Sequence, residues 1–139
     1  MEGEYVSGVS ADRWGIGVSL TLDWSCGALA EGLGCYRREE FFLAHEHWEA
    51  VWLGAEEPEK TFLQALIQVT AAFHHLQRGN EVGTRSLLRA ALRRLEGYPA
   101  EFGGVDVVRL REEVGFWVRL EEGGVRGDFP VIVVPPPIS

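Results

Sequence analysis

The stretch FLQALIQVTAAFHHLQRGNEVGTRSLLRAALRRL, residues 62–95, decides the fold. Its first part repeats apolar residues at the three- and four-residue spacing of one helical face, at Phe62, Leu66, Val69, Phe73 and Leu76. Its second part does the same at Leu87, Leu88, Ala91, Leu92 and Leu95. Gly79 suits the end of one helix and Asn80 suits the N-cap of the next. Two long helices with so short a link predict an antiparallel helical hairpin.

Further helices are predicted on both sides of this hairpin. Ser25 suits the cap of a short helix that runs towards Tyr36, and residues 38–52 contain no Gly or Pro before Gly54 ends their helical pattern. Asp106 suits the cap of a last helix, whose apolar face is Val107, Leu110, Val114, Trp117 and Leu120. The predicted fold class is therefore all-α, a multihelical bundle of about four to five antiparallel helices.

Two terminal segments have the pattern of β-structure. Every second residue is apolar from Trp14 to Trp24, which is strand periodicity. Residues 131–134 are β-prone and are bracketed by prolines, which suits an edge strand or an extended arm. We therefore expect any β-structure in short extended segments at the N- and C-termini. Whether the two segments pair with each other stays open at this point.

Length and composition predict one folded domain over residues 1–139. Apolar residues make up 46% of the chain and charged residues 24%, which is typical of globular proteins.

The net charge of −8 argues against nucleic acid and anionic membranes as partners. No stretch of about 18 apolar residues occurs, and the N-terminus lacks a secretory pattern. Cys26 and Cys35 are expected to remain free thiols, and the expected location is the cytoplasm.

One polar constellation lies on the two helices that hold residues 38–52 and 62–78. His45, Glu46 and Glu49 share part of one helical face, since they are three and four residues apart. Gln64, Gln68 and His75 recur along one face of the next helix. Helices joined by a short loop usually pack together, so the two groups are expected to meet in a polar site walled by Phe and Trp.

These stretches resemble a known family, the one catalogued as domain-of-unknown-function family 309. The resemblance rests on FFLAHEHWEAVW at 41–52, on FLQALIQVTAAFHHLQRGN at 62–80, on the next helix and on the segment around 104–106. It covers about residues 25–122, which leaves an N-terminal extension, 1–24, and a proline-rich C-terminal arm, 125–139. The family implies a small helical bundle with no established reaction or cofactor. The motif residues carried over by position are His45, Glu46, Glu49, Gln64, Gln68, His75, Gly79 and Asn80.

The chain departs from the family pattern at two positions near this constellation. His74 stands where the family commonly has an aromatic residue, and Ala65 where it commonly has glycine. Both departures suggest a locally altered wall of the site.

Three functions are open for the constellation. In the favoured interpretation it is a buried His/Glu/Gln network that sets helix register in a small cytosolic interaction or scaffold protein, with a protein partner or a second copy as its ligand. In the second, His45, Glu49 and His75 hold a divalent metal ion, although a zinc-protease helix would need histidine at position 49. In the third, all six residues line a small-molecule pocket, including that of a hydrolase-like enzyme with His45 or Glu46 as general acid or base.

Two other features have both a functional and an ordinary explanation. Arg85, Arg89 and Arg93 form a row on one helix, which suits either an acidic partner or a solvated face paired with carboxylates. Trp48 and Trp117 lie on apolar helical faces and are expected in the core.

Overall fold

The computed structural model describes residues 22–120 and 124–133, and five helices dominate these residues. They are α1 Gly27–Arg37, α2 Phe41–Leu53, α3 Glu59–Gln77, α4 Glu81–Leu95 and α5 Val107–Arg119. A hairpin of two short antiparallel strands, β1 Glu101–Phe102 and β2 Val105–Asp106, lies between α4 and α5. The predicted all-α multihelical bundle with short β-segments is confirmed.

Helix α3 is the centre of the bundle. It packs against both α2 and α4, while α1 packs on α2 and α5 packs on α4. Four of the five residues in its predicted apolar stripe are wholly buried, namely Phe62, Leu66, Val69 and Phe73. Leu63 and Ile67, which lie outside this stripe, are buried as well. Burial of large apolar side chains is the main favourable term in folding, so apolar residues on more than one face explain why α3 is covered on two sides.

The link between α3 and α4 has the predicted chemistry. Gly79 adopts a φ of 80°, a conformation that glycine tolerates best. The side-chain oxygen of Asn80 accepts a hydrogen bond from the backbone N–H of Gly83 at 2.9 Å, so Asn80 caps α4. Asp106 caps α5 in the same way, through a 3.0 Å bond from the backbone N–H of Arg109. Both predicted caps are confirmed.

The predicted cap of α1 is wrong. The helix begins at Gly27, and Cys26 occupies the N-cap position. The backbone N–H of Ser25 donates instead to the carboxylate of Asp23 at 2.9 Å. Asp side chains commonly accept a hydrogen bond from the backbone two residues further along the chain. A local turn therefore precedes the helix, and the backbone N–H of Ser25 is bonded within this turn.

The position of the β-structure also corrects the prediction. The described strands lie inside the bundle sequence, where Gly103 and Gly104 adopt φ values of 57° and 83° in a two-residue turn. A Gly-Gly pair between apolar residues is a hairpin signal. Residues 131–133 are not a strand, and most of the alternating segment, residues 14–21, lies outside the described residues.

Residues 128–133 form an extended arm that crosses the bundle. The hydroxyl of Tyr36 donates to the backbone oxygen of Pro130 at 2.7 Å, and the backbone N–H of Val131 donates to the carboxylate of Glu113 at 2.8 Å. Ile132 is 2% exposed. Side-chain bonds and burial therefore hold the arm, rather than a strand ladder.

Two further expectations concern membrane-spanning helices and the two cysteines. In the part of the chain that the structure describes, no helix has both the length and the apolar character needed to cross a membrane. Cys26 is exposed and Cys35 is buried, and both are free thiols.

Candidate functional site

Helix α2 carries the first half of the predicted constellation, and its three sides have different environments. Phe41, Ala44 and Trp48 form the side that is buried in the bundle. His45 lies on the flank next to this side and is half-buried, while Glu46 lies opposite and is exposed. The aromatic stripe therefore decides which polar residues approach α3.

The structure does not bury all six residues of the predicted network. Glu46 and Glu49 are exposed, and the other four members, His45, Gln64, Gln68 and His75, are half-buried. Burying a carboxylate without a partner is costly, and Phe41 of α2 already packs on Phe73 of α3, with ring centroids 5.5 Å apart. The carboxylates therefore remain in solvent.

The structure does bring the two predicted histidines together. His45 from α2 and His75 from α3 line one cavity of about 180 Å³, together with Phe42, Ala71 and His74. The ring of Phe42 stacks on that of His45, with centroids 6.1 Å apart, and lies 5.3 Å from that of His74. Three imidazoles and one phenyl ring therefore share a small opening between the two helices.

Asn80 connects this cavity to the start of α4. Its side-chain nitrogen lies 3.2 Å from Nδ1 of His75, while its side-chain oxygen is used in the cap. The family motif residues His75, Gly79 and Asn80 thus form one local unit, in which the turn after α3 positions a side chain of the cavity.

His74 has the clearest electrostatic perturbation in the cavity. Partial burial lowers the pKa of its imidazole, and the positive charge of Arg78 and the neighbouring imidazoles of His75 and His45 lower it further. Each of these effects disfavours the charged ring. The neutral form of His74 is therefore favoured.

The two glutamines do not belong to the cavity. The side-chain oxygen of Gln68 accepts a hydrogen bond from Arg94 of α4 at 3.3 Å, so this residue faces the other neighbour of α3. Gln64 is half-buried and does not line the cavity. Residues on one helical face can therefore contact two different helices, because α3 is covered on two sides.

The predicted metal ligands His45, Glu49 and His75 are not assembled into a metal site. Among residues 22–120 and 124–133, no three His, Cys, Asp or Glu side chains are grouped so that they could hold an ion. His45 and His75 meet at the cavity, but exposed Glu49 is not part of its lining.

The outer face of α2 is the second unusual feature of this region. We use this name for the exposed residues of α2, which are Phe42, Leu43, Glu46, Glu49, Ala50 and Leu53. Its three large apolar side chains, Phe42, Leu43 and Leu53, are 49%, 46% and 69% exposed. The face adjoins the cavity, since Phe42 belongs to both.

Sequence reasoning missed Phe42 and His74 as members of the site. Both residues stood in the quoted motifs, but Phe42 was assigned to the surrounding aromatic residues and His74 was treated as a departure from the family. The spacing of Ala71, His74 and His75, three and four residues apart, is the signal that would have placed His74 beside His75.

The arginine row on α4 is mostly solvated. Arg85 lies 3.9 Å from the carboxylate of Glu81, and Arg89 and Arg93 are exposed. Exposed ion pairs of this kind contribute little to stability.

Trp48 and Trp117 are buried, as predicted.

The fold and the site define a small helical-bundle protein with an imidazole-lined cavity between two consecutive helices. Residues 29–87 match the family model described as Domain of unknown function (DUF309). The match supports the predicted family, and the matched segment includes α2, α3 and every residue of the cavity. It is shorter than the predicted region of resemblance, 25–122. No curated protein matches the chain.

Proposed function

We propose that this protein is an interaction domain that pairs with a second copy of itself through the outer face of α2. The exposure of Phe42, Leu43 and Leu53 on this one face carries the proposal. Clustered apolar side chains on the surface of a protein commonly mark an interaction site. A cytoplasmic location is part of the proposal, and two free thiols support it.

The spacing of the exposed residues supports a helix as the occupant of this face. Leu43, Glu46, Ala50 and Leu53 recur at intervals of three, four and three residues. This is the spacing of a seam between two packed helices. The opposite side of α2 is buried in the bundle, so a partner helix on the outer face would leave α2 covered on both sides.

The identity of the occupant is argued from self-complementarity. In an antiparallel pair of α2 helices with a two-fold axis at Trp48, Leu43 lies opposite Leu53 of the second copy. Glu46 then lies opposite Ala50, and Glu49 lies opposite His47, so that no carboxylate faces its equivalent directly. A two-fold interface uses the same surface on both copies, which this arrangement satisfies.

Sedimentation equilibrium of the purified full chain tests the proposal. We expect the wild-type chain to be a dimer in the micromolar range and Leu53→Lys to be a monomer. Each lost leucine contact costs at least about 1.5 kcal/mol and occurs twice, so the dimer Kd should rise about 100-fold.

Val82→Lys is the matched control for this experiment. Val82 is 74% exposed, but it lies on α4 and is not a residue of the outer face of α2. The control should dimerise like the wild type. A wild-type chain that is monomeric throughout, or a control that dissociates as readily as Leu53→Lys, contradicts the proposal.

A further inference from the structure

The cavity between α2 and α3 has the size of a site for a small molecule. Its volume is about 180 Å³. Pockets for drug-sized ligands usually measure about 300 Å³ or more, so this cavity suits a ligand of few atoms. Its lining is one phenyl ring, one methyl group and three imidazoles, with no carboxylate among them.

The cap of α4 determines which nitrogen of His75 carries the proton. The oxygen of the Asn80 amide accepts from Gly83 N, so the nitrogen of the same amide is the atom that faces Nδ1 of His75. An amide nitrogen only donates, and Nδ1 must therefore accept. The proton of neutral His75 is consequently on Nε2.

The environment of His45 favours the same tautomer. Its Nδ1 is buried and has no hydrogen-bond partner among the described residues. A buried N–H without an acceptor is rarer and more costly than a buried acceptor without a donor. The proton of His45 is therefore also expected on Nε2, which is the edge of the ring that remains for the cavity.

The charges around the cavity favour a negatively charged acceptor. The positive charge of the Arg78 guanidinium acts on His74 and lowers the pKa of its imidazole. The chain as a whole is acidic, with a net charge of −8. The cavity differs from the rest of the chain, because its lining has imidazole N–H donors and no carboxylate. Such a set of donors complements the oxygen atoms of a carboxylate.

From these observations we propose that the cavity binds a small aromatic carboxylate, whose oxygens accept hydrogen bonds from Nε2–H of His45 and His75. The ring of Phe42 would pack against the aromatic body of the ligand. Asn80 acts as a positioning residue, since it sets the tautomer of His75 without lining the cavity. The proposal does not require the pairing of two copies, although Phe42 belongs both to the cavity and to the outer face of α2.

Benzoate is the probe, and the imidazole signals of the full-length chain in two-dimensional NMR are the measurement. We expect saturable shifts at His45, His74 and His75, and at least about tenfold weaker binding of benzamide, which lacks the charge. His45→Phe and His75→Phe should each weaken benzoate binding about tenfold or more. His47→Gln is the matched control, because His47 lies on the other flank of α2 beside Glu31, and it should bind like the wild type.

Asn80→Ser separates the positioning role from a structural one. Serine is as good an N-cap as asparagine, so the stability of α4 should be retained. We expect the ring nitrogens of His75 to show a mixture of tautomers and benzoate binding to weaken several-fold. An unchanged His75 tautomer in this variant contradicts the role of Asn80.

Three outcomes would overturn the carboxylate site. The first is the absence of saturable benzoate shifts in a folded wild-type chain, and the second is equal binding of benzoate and benzamide. The third is tight binding of Zn²⁺ alone at the three imidazoles without any binding of benzoate, which would favour a metal site instead.

Discussion

Trp48 determines how closely α1 approaches α2. Its indole is wholly buried, and its Nε1–H donates to the backbone oxygen of Leu29 at 3.2 Å. The ring lies directly over Gly32, and a Cβ atom added at this glycine would overlap with the indole. The contact between the two helices therefore depends on the missing side chain at position 32.

We expect Gly32→Ala to lower the free energy of unfolding. The added methyl group forces the indole or the helix to shift, and overpacking of this kind costs about 1 to 3 kcal/mol. Urea unfolding followed by circular dichroism measures the change. The matched control is Gly97→Ala, because a Cβ at this position meets no atom within 4 Å; a loss as large in the control would show that packing on Trp48 is not the cause.

The hairpin and helix α5 form one continuous element. The second strand ends at Asp106, and the helix begins at the next residue, Val107. The carboxylate of Asp106 accepts from the backbone N–H of Arg109 and so satisfies a donor that the first turn leaves free. One residue thus closes the strand pair and starts the helix.

The cap at Asp106 predicts a graded response to substitution. Asp106→Ala should lower the free energy of unfolding by about 1 kcal/mol, while Asp106→Ser, which keeps an oxygen at the N-cap, should lose much less. Thermal unfolding of both variants at neutral pH measures the difference. Equal losses in the two variants would contradict a capping role.

The C-terminal arm is part of the core of the whole molecule. The ring of Phe129 stacks on Trp117 at 5.6 Å and makes edge contacts with Phe41 and Phe73. These partners come from α5, α2 and α3, so one side chain of the arm touches three helices. The arm is consequently expected to unfold together with the bundle.

Phe129→Ala tests this expectation. Because the ring is partly buried, we expect a loss of about 2 to 3 kcal/mol, near the lower end of the range for a phenylalanine in a core. The unfolding transitions followed by tryptophan fluorescence and by circular dichroism should still coincide. Val125→Ala is the control, since Val125 is 89% exposed; a Phe129→Ala chain as stable as this control would mean that the arm is not docked in solution.

The sequence by itself determined the helices and two of their caps. The stripe from Phe62 to Leu76 and the caps at Asn80 and Asp106 were predicted correctly, because spacing, glycine conformation and capping act within a few neighbouring residues. The Gly103-Gly104 turn is also encoded by neighbouring residues, but no hairpin was predicted there. That the full chain is one domain remains a prediction.

Only the tertiary structure decided which polar residues meet. Periodicity placed His45, Glu46 and Glu49 near one another on α2. It could not show that Phe41 would pack on Phe73 of α3 while the two glutamates remained exposed. It also could not show that Gln68 faces α4 while His75 faces α2. Helical spacing determines which residues share a face, whereas the neighbour that covers each face depends on packing between residues far apart in the chain.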